Sequence, residues 1–150
     1  MQLDQLFAHW QQVHADLLAL VDRFGEEELA YTPFPGAWSV AQILSHIAGA
    51  EEGWFRFVVT REHAQWPDDY RSDEYPTREA IRTLLAEVHA RTEAYLATLD
   101  LADLDRVVDG GWVGRFRLGW IIWHVLEHEI HHRGELSLIL GLLGREGLDV

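Results

Sequence analysis

The residues best suited to chemistry are histidines that lie in an otherwise apolar stretch. Residues 120–143 read WIIWHVLEHEIHHRGELSLILGLL, and four of the nine histidines of the chain fall within 124–132. At about 100° per residue, His128 and His132 lie one turn apart on the same face of a predicted helix. Both imidazoles can therefore bind one metal ion. His124 lies one turn earlier, but three rings along roughly 12 Å of helix cannot all reach the same ion.

A third ligand is expected from a second helix, which contains the segment SVAQILSHIAGAEEGWF. His46 falls on the apolar stripe of this helix, which is formed by Ile43, Ile47, Ala50 and Trp54. A stripe with this spacing faces the core of a helical protein. Core-facing histidines on two helices predict that the two helices meet at a metal site.

Two segments, GAWSVAQILSHIAGAEEGW and WHVLEHEIHHRGELSLIL, resemble the signature segments of the DinB/YfiT-like metalloprotein superfamily. The resemblance spans essentially the whole chain, and its most specific part is the H-x-x-x-H-R-G pattern. It implies a four-helix bundle with His46, His128 and His132 as the metal ligands. Glu135 stands where the family more often has Gln, a departure that leaves the ligand set intact and gives the Glu135 side chain no assigned role.

The histidines outside the predicted ligand set are expected to have other roles. His131 precedes the R-G pair by one residue too many for the family pattern, so it is expected to be exposed or at an interface. His124 is expected to border the site or to donate a hydrogen bond to one of its ligands. His14 flanks an apolar stripe in the first predicted helix and is a weaker candidate ligand.

Three neutral nitrogen ligands leave a metal ion with an open coordination position, as in catalytic zinc sites. Such an ion can lower the pKa of a bound water toward ~7 or hold a thiol as its thiolate. The family resemblance, which includes bacillithiol and mycothiol S-transferases and thiol-dependent maleylpyruvate isomerase, implies metal-dependent transfer of a low-molecular-weight thiol to an electrophile. The alternatives are a metal-dependent hydrolase and a non-enzymatic, stress-related metal-binding protein. A fourth protein ligand, for example His14 or Glu51, would favour the last of these.

Composition narrows the choice of cofactor and partner. The chain has no cysteine, so nitrogen and oxygen must hold any metal, and any reactive thiol must arrive with the substrate. Zinc or nickel is expected at the site, and manganese or iron is possible. The expected partners are a small-molecule thiol and an electrophilic substrate.

Length and charge limit the remaining classes of protein. The 150 residues are expected to form a single domain, 1–150. With 25 acidic and 12 basic residues the net charge is −13, which disfavours nucleic acid and anionic membranes as partners. The sequence has no uninterrupted apolar run near the ~18 residues of a membrane span, and its first residues do not resemble a signal peptide, so a cytoplasmic location is expected. A homodimer is expected from the family, with Trp66, Tyr70 and Trp112 as exposed aromatic residues that could serve an interface.

Apolar periodicity predicts an all-α fold, a four-helix bundle with one long crossover connection. The first helix is expected to begin near Leu3 and to end near Gly25. Ser39 and Gln42 form a predicted capping box for the second helix, which is expected to fade within 63–67. The other predicted features are a surface connection at 65–76, a third helix capped by Thr77, a short hairpin around Asp109, Gly110 and Gly111, and a last helix closed by Gly144.

Several side chains outside the ligand set have two interpretations. His89 lies off the apolar stripe of its helix, so exposure is expected. Three carboxylates could orient the N–H of a metal-bound imidazole, although solvent exposure is the more common state of glutamate: Glu51, Glu127 and Glu129. Arg133 is expected to form a structural ion pair, with binding of a substrate carboxylate as the alternative. Three tryptophans could roof a pocket but are expected mainly to fill the core: Trp54, Trp120 and Trp123.

Overall fold

A computed structural model describes residues 1–67, 70–71 and 73–149 and confirms the all-α architecture. A single turn, α1 (Leu3–Leu6), precedes four longer helices: α2 (Ala8–Arg23), α3 (Val40–Glu52), α4 (Arg78–Leu96) and α5 (Leu118–Leu142). Helix α3 packs against α4 and α5, and α2 also packs against α4 and α5. The long helices therefore form the predicted four-helix bundle.

Two of the helices begin where the sequence predicts. At the start of α3, the Ser39 hydroxyl accepts a hydrogen bond from the Gln42 backbone N–H at 3.2 Å. The Gln42 side chain accepts one from the Ser39 backbone N–H at 2.8 Å, which completes the capping box. At the start of α4, the Thr77 hydroxyl accepts from the Ala80 backbone N–H at 3.1 Å. These bonds satisfy backbone donors that the first helical turn leaves without partners.

The first two helices differ in detail from the prediction. The first is interrupted at Phe7, which separates α1 from α2. The second does not continue to 63–67, because its α-helical bonding ends at Glu52 and the wider π-helical segment Gly53–Val59 follows. At Gly53 an added Cβ would collide with the indole of Trp66. Glycine therefore lets the Trp66 ring pack directly on the backbone at the point where the helix widens.

The connection from α4 to α5 carries the predicted hairpin. Strand β1 (Val107–Asp109) pairs antiparallel with β2 (Arg115–Arg117), and Val108 lies opposite Phe116. The turn uses positive φ angles at Gly111 and Gly114 (65° and 122°), which glycine adopts without strain. The other long connection, predicted as a surface segment at 65–76, includes residues 68, 69 and 72, which lie outside the described residues.

The apolar core of the bundle is divided into two clusters. One cluster includes Leu17, Leu20, Ile43 and Ile139, and the other includes Trp10, Val13, Phe55 and Ile121. Each long helix also carries buried polar residues at the level where one apolar cluster ends and the other begins. These residues are His14, Glu51, His89, Glu129 and His132. The functional candidates therefore lie in a polar layer near the middle of the bundle.

No helix in the described part of the chain is long and apolar enough to cross a membrane.

Candidate metal centre

The structure brings the three predicted ligands together where α3 faces α5. One ligand atom from each of His46, His128 and His132 lies within 4.8 Å of the others. The Nε2 atoms of His46 and His128 are 3.0 Å apart, and the ring centroids of His128 and His132 are 4.5 Å apart. His132 is buried, and the other two side chains are partly buried. The i, i+4 spacing on α5 and the apolar stripe of α3 correctly predicted this convergence.

The environment favours the neutral form of two of these imidazoles. Burial, reinforced by the neighbouring rings of His132 and His46, lowers the pKa of His128 from 6.5 to about 3. Burial also lowers the pKa of His132, although its hydrogen bond with Glu135 opposes the shift. A neutral imidazole keeps a lone pair for a metal, whereas an imidazolium has none.

Glu135 has a clear structural partner, which the sequence pattern did not assign. Its Oε2 lies 2.8 Å from Nδ1 of His132, close enough to accept a hydrogen bond from that nitrogen. This contact places the proton on Nδ1 and leaves the lone pair on Nε2, as in the carboxylate–histidine pairs of metal sites. His131 is exposed, as expected, with its ring centroid 4.9 Å from that of His132.

Aromatic side chains lie against the three-histidine cluster and one turn before it on α5. Trp38 lies 4.7 Å from the His46 ring and 6.4 Å from the His132 ring, measured between centroids. One turn before His128, the His124 ring stacks on Trp120 at 4.7 Å with an interplanar angle of 9°. His124 therefore borders the site, which is the first of the two roles predicted for it. Its described contacts are with aromatic rings.

The prediction that Trp120 and Trp123 mainly fill the core is wrong. Trp120 and Trp123 are 46% and 56% exposed, so they do not fill the core. Trp54 is partly buried and packs edge-on against Trp120. Trp120 and Trp123 both belong to α5, a helix whose apolar residues are spread around its circumference, so its hydrophobic pattern did not distinguish the buried face from the exposed one.

The residues proposed as interface aromatics differ among themselves. Trp112 is exposed, as expected. Trp66 and Tyr70 are partly buried. Trp66 packs against Trp54 and Phe57, and Tyr70 packs edge-on against Tyr75. Burial raises the pKa of Tyr70 to about 12. The prediction that all three are exposed was therefore wrong for two of them.

A second polar cluster lies deeper in the bundle, where the sequence predicted mainly exposed side chains. His89 is buried, and its Nδ1 is 3.0 Å from Oε1 of Glu51. His14 is buried as well, with its Nδ1 3.0 Å from Oε1 of Glu129. Exposure was thus the wrong expectation for His89, Glu51 and Glu129. The two carboxylates do orient imidazoles, but these imidazoles lie outside the three-histidine cluster.

Two remaining charged residues match their structural interpretations. Arg133 donates a hydrogen bond from Nη1 to Oδ2 of Asp16 at 3.0 Å, which confirms the predicted ion pair. Glu127 is exposed on α5. His14 and Glu51, named as possible fourth ligands, belong to the second cluster, and in the described residues the three-histidine group has no fourth member.

The donor set fits a divalent transition metal. Three imidazoles converge, two of them have lowered pKa values, and Glu135 fixes the tautomer of His132. Imidazole nitrogen suits zinc, nickel and iron, and a site with three protein ligands leaves room for an exogenous one.

Comparison with solved structures shows the same fold in other proteins. A DinB-like protein from Bacillus cereus superposes with a TM-score of 0.83 at 17% identity, covering 99% of this chain and 97% of that one. A DinB-like protein from Bacillus subtilis gives 0.73 at 19% identity, covering 97% and 96%. A conserved protein from Enterococcus faecalis gives 0.64 at 16% identity, covering 91% and 94%.

Comparison of the sequence with curated proteins gives no match. The family model of the DinB superfamily, in contrast, matches residues 9–136, a span that includes all three histidines of the site. The chain therefore belongs to the DinB superfamily.

Proposed function

We propose that the protein is a divalent-metal-dependent enzyme that transfers a low-molecular-weight thiol to an electrophile. The observation that supports this proposal best is the convergence of His46, His128 and His132 on a partly exposed three-nitrogen site with no fourth described protein ligand. A bound metal ion would supply a Lewis acid that holds a thiol in its nucleophilic thiolate form. The chain has no cysteine, so the thiol must belong to the substrate.

The residues of the site have separable roles in this proposal. His46, His128 and His132 hold the ion, and Glu135 orients the His132 ring through Nδ1. Trp38 packs against the His46 ring, and the stacked pair of Trp120 and His124 lies one turn before His128 on α5. These rings provide flat apolar surface for an electrophile. In the net reaction a carbon–sulfur bond forms, the bond to the leaving group breaks, and the thiol proton passes to solvent.

The first test is the metal content of untagged protein purified without chelator, measured by inductively coupled plasma mass spectrometry. The proposal expects the three-histidine cluster to bind about one metal ion, so His128→Ala should hold about one ion fewer than the wild type. His9→Ala, a matched loss of one histidine from the exposed face of α2, should hold as many ions as the wild type. An equal loss of metal in both variants, or a metal content of His128→Ala equal to that of the wild type, would contradict the assigned ligands.

The second test is activity of the metal-loaded protein. Bacillithiol, mycothiol and glutathione are each mixed with 1-chloro-2,4-dinitrobenzene, and formation of the thioether is followed by absorbance. The proposal expects metal-dependent acceleration with at least one thiol and loss of that acceleration in His128→Ala. No acceleration with any of the three thiols, at full metal occupancy, would refute the transferase proposal and leave a metal-binding protein of another kind.

A further inference from the structure

The second polar cluster is assembled from all four long helices. His14 comes from α2, Glu51 from α3, His89 from α4 and Glu129 from α5. All four residues are 6% exposed or less, and they lie between the two apolar clusters of the core. Burial of four titratable groups at one level of a bundle is costly unless the groups bind one another or a shared ligand.

The hydrogen bonds of this cluster satisfy one side of each imidazole only. Glu129 bonds to Nδ1 of His14 through Oε1 and accepts a hydrogen bond from the Trp10 indole through Oε2, at 3.0 and 2.8 Å. Glu51 bonds to Nδ1 of His89 at 3.0 Å. The Nε2 atoms of both histidines are buried, and neither has a hydrogen-bond partner among the described residues.

His89 is therefore held as a metal-bound histidine is held. In metal sites the ring nitrogen that does not bind the ion donates its N–H to a carboxylate, which fixes the tautomer and the ring orientation. Here Glu51 bonds to Nδ1 of His89 and leaves its Nε2 without a hydrogen-bond partner. Nδ1 of His14 faces Oε1 of Glu129 at 3.0 Å, a separation that two ligands of one ion can have, so the ion would replace the proton between them. One ring nitrogen from each of His14 and His89, together with an oxygen of Glu129, lies within 4.8 Å of the others.

We propose that His14, His89 and Glu129 form a second metal site in the core of the bundle, with Glu51 as a positioning residue for His89. Two imidazoles and one carboxylate make a mixed nitrogen and oxygen donor set that suits Fe²⁺, Zn²⁺ or Co²⁺. The two rings are stacked, with centroids 4.0 Å apart and planes at 16°, so binding requires each ring to tilt toward the shared ion. The site is separate from the three-histidine cluster and does not depend on the function proposed for that cluster.

A small cavity beside the cluster provides space for a further ligand. Its volume is about 10 Å³, at the lower limit of what one water molecule requires, and its walls include His89, Trp10, Asp4 and Glu93. Oδ1 of Asp4 is buried without a hydrogen-bond partner, and Oε1 of Glu93 lies 3.7 Å from Nε2 of His89. A water on the ion would find hydrogen-bond acceptors in this cavity.

The competing explanation is a metal-free network in which protons alone balance the charge. Burial lowers the pKa of His89, but the hydrogen bond and charge of Glu51, with the charges of Glu129 and Glu93, outweigh burial and raise it, so an imidazolium is compatible with the same contacts. Metal binding must displace such a proton. Stoichiometry separates the two explanations, because only a second site takes up a second ion.

The test is reconstitution of chelator-treated full-length protein with Co²⁺ or Zn²⁺, followed by desalting and metal analysis. The second site predicts about two ions in the wild type, about one in His128→Ala, about one in His89→Gln, and none in the double variant. His9→Ala is the matched control and should keep both ions. One ion in the wild type that disappears in His128→Ala and persists in His89→Gln would overturn the inference. One ion that persists in His128→Ala and disappears in His89→Gln would support it while contradicting the proposed function.

A measurement on the wild-type protein covers the case in which His89→Gln does not fold, which circular dichroism would reveal. Crystals soaked in Zn²⁺ are measured at the zinc absorption edge, and an anomalous difference map is calculated. A peak between His14, His89 and Glu129 would support the second site. A peak at the three-histidine cluster with none at this position, or no peak at either place, would overturn it.

Discussion

Replacing Glu135 tests how much the hydrogen bond to His132 contributes to metal affinity. The contact is short, at 2.8 Å, and joins a largely buried imidazole to a carboxylate whose side chain is 40% exposed. Such partners are typically worth 10- to 100-fold in affinity, and partial exposure places Glu135 at the low end because solvent screens its charge. We therefore expect Glu135→Ala to weaken metal binding about tenfold, or about 1.4 kcal/mol.

A second substitution separates the hydrogen bond from the charge. Glu135→Gln keeps an oxygen that can accept the N–H of His132 but removes the negative charge. Because charge-assisted hydrogen bonds are roughly twice as strong as neutral ones, about half of the free energy should remain. The expected loss is about threefold in affinity. Glu127→Ala is the matched control, since it removes one carboxylate from the exposed surface of the same helix.

The assay is competition for Zn²⁺ against a chromophoric chelator at neutral pH, with chelator-treated protein and with circular dichroism to confirm folding. The expected order of affinity is wild type and Glu127→Ala, then Glu135→Gln, then Glu135→Ala. Binding by Glu135→Ala within about twofold of the wild type would refute the assigned role. Equal weakening by Glu127→Ala and Glu135→Ala would show a general effect of charge instead of an oriented ring.

Three further predictions concern stability. Trp10→Phe removes the indole donor to buried Glu129 and should lower the free energy of unfolding by about 2 kcal/mol, measured by urea denaturation. Ser39→Ala removes the cap of α3 and should cost about 1 kcal/mol in the same assay. In chelator-treated protein, the stability lost in Glu51→Gln should be largest between pH 4.5 and 6.5. Burial opposes ionisation of both groups, but their mutual hydrogen bond and charge, together with neighbouring polar and charged groups, outweigh it, so the Glu51 pKa is lowered from 4.5 and the His89 pKa is raised from 6.5.

The sign of the last prediction follows from proton linkage. The lowered pKa of Glu51 stabilises the fold above pH 4.5, and this contribution is lost as pH falls through the folded-state value. The raised pKa of His89 stabilises the fold below pH 6.5, and this contribution is lost as pH rises through its folded-state value. A stability difference between the wild type and Glu51→Gln that is flat, or that changes in one direction from pH 4 to pH 9, would contradict the ion pair.

The other two predictions have conservative controls. Trp10→Tyr should be no more stable than Trp10→Phe, and Ser39→Thr should retain most of the cap.

The features that depend on local sequence were predictable. Apolar periodicity located the helices, the Ser39–Gln42 capping box and Thr77 located two helix starts, and glycines located the hairpin. The three-histidine cluster was predictable because two of its members share one helix face at i, i+4 and His46 lies on a clear apolar stripe. The helix starts and the hairpin are each signalled within a few residues, whereas the cluster joins two such local signals that are 82 residues apart.

The second cluster was not predictable in the same way, because its pairs join residues far apart in the chain. Glu129 is 115 residues from His14, and His89 is 38 residues from Glu51. Each of these residues, taken alone, resembles an ordinary polar position on a helix, and base rates favour exposure. The available signal was His14 beside the apolar stripe of α2, one turn from Trp10, since an indole and an imidazole at that spacing share a helix face.

The two clusters meet in one helix, which affects how variants must be interpreted. His128 and Glu129 are adjacent in sequence, so their side chains leave α5 about 100° apart. The first reaches His46 on α3, and the second reaches His14 on α2. A rotation or local unwinding of α5 caused by a substitution in one cluster would therefore displace a ligand in the other. A loss of metal in a single variant therefore identifies a ligand only if the other site keeps its ion. The double variant and the anomalous map of the wild-type protein are needed beside the single substitutions for this reason.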